Sequence, residues 1–268
     1  EESMLNMKAM NDTDKLKVMK FLHLLLFYMF TARSKCFPVV VCRVVQISLS
    51  HGVCKESALG FAAYGIILCG PVNMFRLGYR YGTLALNIIE RFEAKEYAAK
   101  VLCSVWGAIN PTVEPVQSVL PPLKNAVEVG LAAGDTAHAM VCAITHDSIA
   151  FASGKSLSPL VAEMQLHRKQ MVECKQNSLA LNNKILYQTA LNLMGMSADP
   201  TKLDWEETTE NGYLKTDCDS ARDMLFVSSR RMWLEYIFGK YELAWQTAES
   251  NKEIWGRNTQ AIFILPCH

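Results

Sequence analysis

The sequence is short of residues that break helices. It has 14 glycines and 9 prolines in 268 residues, both below the usual roughly 7% and 5%. A sheet protein with many tight turns needs more of each, so the composition leans helical. Charge of one sign is missing too: 27 basic residues face 26 acidic ones, for a net charge of +1. No run of five like charges occurs, which argues against nucleic acid or an anionic membrane surface as a partner. Long apolar runs are absent as well. "FLHLLLFYMF" (21–30) is interrupted by His23 and falls far short of the ~20 residues that a membrane span requires, so no membrane insertion is expected. Glu1-Glu2 lead the chain, and no small-residue cleavage site follows the apolar run, so a secretory signal fits poorly.

The nine cysteines (Cys36, Cys42, Cys54, Cys69, Cys103, Cys142, Cys174, Cys218, Cys267) contain no C-x-x-C pair. An odd, scattered set within apolar patterns suits a reducing compartment, and a cytoplasmic location is expected. The chain starts without Met and stops at "FILPCH", so both ends read as cut from something larger.

What is present is helical periodicity. Apolar residues recur at three and four. "ALGFAAYGIILC" (58–69) is apolar nearly all round and predicts an enclosed helix. In the next segment Leu77, Leu84, Ile88 and Ile89 form one stripe, away from Arg76, Arg80 and Arg91. The one β-branched run, "FPVVVCRVV" (37–45), is assigned to a buried helix after Pro38. Breakers fall at Gly70-Pro71, Asn110-Pro111-Thr112, Gly154, Gly195 and Gly239, a spacing of 41 to 44 residues. A period of about 40 built from two helices is the signature of a helical solenoid.

The turns carry matching chemistry. Gly239-x-Tyr241-x-x-Ala244, followed by Ala248, has a glycine to close one helix, an aromatic to open the next and a small residue for close approach. Asn73-x-Phe75-x-x-Gly78, with Ala85, is a second copy, and Gly134-Asp135-x-x-x-Ala139 a looser third. The stretch 196–217, with Pro200, Gly212 and six acidic residues, is expected to be a long surface loop pinned by Leu203 and Trp205.

Candidate sites are few. Gly154-Lys155-Ser156 ends like a P-loop, but the first glycine of that motif would have to be residue 149, which is isoleucine, and a helical pattern precedes it. It reads as a helix C-cap followed by a new start, with Ser156 or Ser158 as N-cap and Pro159 at the first helical position. His138, Cys142 and His146 share one helix stripe, but the third lies roughly 12 Å from the first. Without ligands from another segment they make no metal site, and none is expected. Cys142 with His146 lacks an orienting partner for a thiol–imidazole dyad. Asp217 and Asp219 read as helix N-caps. Trp106 and Trp233 are expected in the core. In a solenoid, polar residues on otherwise apolar helices can face the groove. Asn110, His146, Tyr187 and Gln188 are the candidates.

Several blocks together resemble the tetratricopeptide-like helical-repeat region of large multidomain signalling ATPases. They are "ALGFAAYGIILCG" (58–70), "GYRYGTLAL" (78–86), "LPPLKNAVEVGLAAGD" (120–135), "YQTALNLMG" (187–195), "DPTKL" (199–203) and "YIFGKYELA" (236–244). In that family a kinase-like segment and a P-loop ATPase precede the repeat region, and sensor domains with a histidine kinase or nucleotide cyclase follow it. The resemblance spans roughly 30–265 and brings over no catalytic residue. It departs from the pattern in cysteine content and at "SVWGAINPTVEPVQS" (104–118). The expected fold is all-α: a tetratricopeptide-like α-solenoid of eleven or twelve helices, right-handed, in a single domain over 1–268. The expected function is a non-catalytic interaction and signal-relay scaffold between an ATPase switch and an output domain, with protein partners and no cofactor. The alternative is a regulatory domain whose apolar groove binds a small molecule or peptide.

Overall fold

One kind of turn ends helix after helix in this chain. Asn73, Glu93, Gly134, Gly154, Lys175, Gly195 and Gly239 all have φ between 46° and 77°, and several neighbours in this series stand 20 or 21 residues apart. At six of these turns the left-handed residue donates its N–H three residues back and the next residue donates five back. Gly134 N–H reaches Leu131 O at 3.1 Å and Asp135 N–H reaches Gly130 O at 2.9 Å; Glu93/Ala94, Gly154/Lys155, Lys175/Gln176, Gly195/Met196 and Gly239/Lys240 repeat the pattern. This is the Schellman closure, which satisfies carbonyls that the helix end would otherwise leave bare.

The computed structural model describes residues 7–32, 34–203 and 221–257. These hold eleven α-helices: α1 (Thr13–Thr31), α2 (Phe37–His51), α3 (Ser57–Cys69), α4 (Phe75–Arg91), α5 (Lys95–Ser104), α6 (Leu120–Ala132), α7 (Thr136–Ala152), α8 (Leu157–Glu173), α9 (Asn177–Leu193), α10 (Ala221–Ile237) and α11 (Tyr241–Arg257). Among the described residues the extended pairing is limited to an isolated bridge between Ala9 and Val53. The all-α expectation therefore holds. No helix of the described residues is long and apolar enough to cross a membrane.

Internal contacts divide the chain into two compact units, Glu1–Cys142 and Ala143–His268, where the sequence had suggested a single domain. The division falls within α7. In the first, consecutive helices pack on one another from α1 to α6, and α3 also packs against α1 and α5. At the α3–α4 crossing Gly65, Gly78 and Gly82 let the two backbones approach closely. A Cβ on Gly78 would stand 2.3 Å from Cys69 Sγ and 2.7 Å from the Gly65 carbonyl. Around this crossing Phe61, Ala62, Leu84, Ala85, Val101 and Ile109 are buried. In the second unit α8 packs on α9 and α10 on α11, over Leu160, Met164, Met171, Ile185 and Leu186.

The small residue foreseen at the turns has a clear physical role. Five positions after each left-handed residue that closes a tight hairpin stands a small buried one: Gly78, Ala98, Ala139, Ala180 and Ala244. Ala139 meets Gly130 so closely that a Cβ on the glycine would lie 2.9 Å from that of Ala139. Gly70 ends α3 as expected, but the left-handed residue there is Asn73.

Near residue 113, where the spacing calls for another such turn, the chain does something else. Val105–Ile109 forms a π-helical turn and Asn110–Thr112 a 3₁₀ turn. Pro111 has no N–H with which to continue an α-helix, and the Ile109 side chain fills the space over Gly65 and Gly82.

Gly154 is the helix-closing residue foreseen in the Gly-Lys-Ser triplet, with φ 74°. Ser156 is the N-cap of α8 but makes no side-chain cap bond. Pro159 is the third residue of α8, not the first. A third-position N–H also lacks a helical acceptor, so proline is tolerated there.

Candidate functional site

The four groove candidates do not meet in one groove. Asn110 lies in the first unit and is buried, at 3% exposure; its Nδ2 donates to Glu114 Oε1 at 3.4 Å. Glu114 also accepts from Tyr79 Oη at 2.6 Å and Ser118 Oγ at 3.1 Å, so Asn110 helps to tie down the irregular segment after the π turn. Gln188 donates to Asn192 Oδ1 at 2.9 Å. Buried Asn192 in turn donates to the carbonyls of Pro200 and Lys202, at 3.1 and 2.6 Å. It is therefore Asn192 that fastens the described start of the 196–217 segment. Trp205, Asp217 and Asp219 lie outside the described residues. Tyr187 is half-buried, with the Arg168 guanidinium 5.4 Å above its ring.

His146 differs most from its expected place. It is 2% exposed and faces a buried carboxylate rather than a groove. Three helices of the second unit build this cluster. α7 supplies His146 and Asp147. α8 supplies His167, which shares a buried stripe with Leu160, Met164 and Met171 at helical spacing. α9 supplies Asn183. His167 Nδ1 lies 2.9 Å from Asp147 Oδ1, and His146 Nδ1 lies 3.3 Å from the same oxygen. Asn183 Nδ2 donates to Asp147 Oδ2 at 2.9 Å. The two imidazole rings stand 6.0 Å apart at 90°. Both oxygens of the carboxylate thus have polar partners, which is what burying it demands. The Oδ1 atom of Asn183, however, is buried without a partner.

His146, Asp147 and His167 also form the one group of potential metal ligands found among the described residues, with ligating atoms within 4.8 Å of one another. His138 and Cys142, which share a helix stripe with His146, do not belong to it. The ligands come from another helix and from the next residue, neither of which a same-face spacing rule would select.

A second polar cluster lies within the first unit. His23 of α1 packs against Tyr97 of α5 with centroids 4.3 Å apart and the rings tilted by 47°. His138 Nδ1 lies 2.8 Å from Asp135 Oδ1, and Lys100 Nζ lies 3.9 Å from Asp135 Oδ2. Phe27 meets His138 edge-on at 5.6 Å, and Tyr97 donates to Glu56 at 3.5 Å. Burial, with the Lys100 charge adding to it, pushes the His23 pKa down to about 4, and its Nδ1 has no partner. Burial also lowers the pKa of His138, outweighing the opposing pull of Asp135.

Cys142 is not an activated thiol. Its Sγ donates to Ala99 O at 3.5 Å, and a hydrogen bond with Cys103, together with burial, drives its pKa far above the ordinary thiol value. Trp233 is half-buried against Phe151 at 5.6 Å, and Trp106 is half-buried.

Apolar surface is exposed on both units. On α1, Val18, Phe21, Leu24, Phe27, Tyr28 and Phe30 face outward, and around the α10–α11 turn Tyr236, Ile237, Tyr241 and Trp245 do so. Comparison of the chain with known protein families, characterised proteins and solved structures returns no match.

Proposed function

We propose that this chain is a helical-repeat interaction and signal-relay segment, non-catalytic in itself, of a multidomain signalling protein of the ATPase type it resembles. The observation that carries the reading is the turn series: left-handed closures about 20 residues apart, each tight hairpin followed by a small buried residue. This is how a chain builds successive near-identical helix hairpins. A ligand or neighbouring domain acts on such a stack by favouring one packing of adjacent hairpins over another, and differential affinity for the two packings sets how far the balance moves. The exposed aromatic surfaces support protein partners, since contiguous apolar exposure marks contact sites. The buried, hydrogen-bonded thiol of Cys142 counts against a thiol–imidazole dyad with His146. Burial of His146 against Asp147 counts against its lining the groove that the small-molecule or peptide reading needs.

The sequence encoded on either side of residues 1–268 tests the context. A P-loop ATPase before it and a kinase or cyclase after it are expected, and the absence of both overturns the relay reading. The purified chain is also expected to show no ATP hydrolysis above a blank. Hydrolysis that disappears in Lys155→Ala overturns the non-catalytic assignment.

A further inference from the structure

We propose that His146, Asp147 and His167 bind one divalent transition-metal ion, zinc by donor type, at the buried meeting point of α7 and α8, with Asn183 of α9 orienting the carboxylate. Two imidazole nitrogens and one carboxylate oxygen are a donor set that suits zinc and its neighbours rather than magnesium or calcium. The spacing fits. A tetrahedral zinc with bonds of roughly 2.0–2.2 Å sets its ligands about 3.3–3.5 Å apart. Asp147 Oδ1 already stands 2.9 and 3.3 Å from the two Nδ1 atoms. The outermost pair of ligating atoms lies within 4.8 Å, so that pair closes by at most about 1.3 Å to reach tetrahedral spacing on one ion.

Charge points the same way. The Asp147 side chain is fully buried, and among the described residues its partners are two imidazoles and an amide, with no lysine or arginine. A buried carboxylate needs a compensating positive charge. A divalent ion bound by both imidazoles in their neutral form supplies it. Asn183 adds an independent observation. Its Nδ2 holds the outer oxygen of Asp147 at 2.9 Å, while its own Oδ1 is buried without a partner. An orphaned buried acceptor on the residue that holds Asp147 calls for a polar partner that protein groups do not provide. His167, whose side chain is about 10% exposed, is the least covered of the three ligands and marks the entry side. Three protein ligands leave the fourth position of a tetrahedral ion to water; the ion would clamp α7 to α8, and the site proposal stands whether or not the relay reading does.

The test is metal titration of the whole chain after chelator treatment, with zinc and with cobalt(II), alongside circular dichroism to confirm folding. One zinc per chain is expected, as is the visible absorption of tetrahedral cobalt. Asp147→Asn and His167→Gln are expected to abolish both, and His138→Gln, on the same helix but outside the cluster, to change neither. Asn183→Ala is expected to keep the stoichiometry while weakening zinc binding by about 10- to 100-fold, the usual effect of losing a residue that orients a ligand. A folded wild-type chain that takes up no stoichiometric zinc or cobalt overturns the proposal, as does undiminished binding by folded His167→Gln. If Asp147→Asn does not fold, His167→Gln and the cobalt spectrum of the wild type still decide.

Discussion

Asp135 and Asp147 each hold a histidine Nδ1 at about hydrogen-bond distance, yet their surroundings are opposite. Asp135, in the first unit, keeps 18% of its side chain in solvent, and a lysine stands 3.9 Å from its outer oxygen. Asp147, in the second, has no exposed side-chain surface and takes a second imidazole and an amide instead. The first unit closes most of its core with apolar side chains and glycine contacts and buries fewer polar groups, among them His23 and Glu56. The second places Asp147, His146, His167, Asn182, Asn183 and Thr189 in the interior. The same residue pair is thus a marginal electrostatic contact in one unit and an obligatory internal joint in the other. Water access makes the difference.

The largest expected effect sharpens that contrast. Asp147→Ala strands two buried imidazoles and is expected to cost about 3–5 kcal/mol, the cost of breaking a buried pair. Asp135→Ala is expected to cost about 1 kcal/mol. Urea unfolding of the two variants checks this, and equal losses would erase the distinction between the units.

Next comes His23. Its folded-state pKa of about 4 lies below the ordinary 6.5, so between those values the unfolded chain binds more protons than the folded one. The corresponding stability is complete above pH 6.5 and is lost as pH falls towards 4. At about 1.4 kcal/mol per unit, this amounts to at most about 3 kcal/mol. His23→Leu is expected to flatten the fall in unfolding free energy between pH 6.5 and 4, measured against Tyr97, Glu56, Lys100 and His138 left intact.

Gly78→Ala forces α3 and α4 apart at Cys69 and the Gly65 carbonyl and is expected to cost about 1–3 kcal/mol as overpacking. Gly134→Ala meets no atom within 4 Å, and its penalty comes from φ alone, about 1–2 kcal/mol. Thermal melts of the two variants separate crowding from backbone strain. Smallest is Lys55→Ala. Its ion pair with Glu96 is exposed at both ends, and a loss below about 1 kcal/mol is expected.

Much of the fold was legible in the sequence because glycine marks left-handed turns. Gly154, Gly195 and Gly239 announced theirs, and the small residues at Gly78, Ala139 and Ala244 sat where close helix crossings need them. Glu93 and Lys175 adopt the same backbone without glycine, so the halfway turns that double the apparent repeat were hidden. The irregular 105–112 segment carries Asn110-Pro111-Thr112, which read only as a helix end. Composition gave no hint that its breaker is a π turn running into a 3₁₀ turn. The site was less legible than the fold. His146 was noticeable as a polar residue on an apolar helix, but helical periodicity relates it to His138 and Cys142, whereas its partners are the adjacent Asp147 and His167, 20 residues on. Only tertiary packing joins those. The adjacent His-Asp pair inside an apolar run was the available signal, since such a run buries a carboxylate only where partners wait for it.

The compact turns have a consequence for how this chain can change length. At Glu93, Gly134, Lys175 and Gly239 a single residue separates the left-handed position from the first residue of the next helix. An insertion of one or two amino acids there would rotate everything downstream by a fraction of a helical turn and pull the small residue out of its crossing. Growth or shortening at these points has to come in whole hairpins.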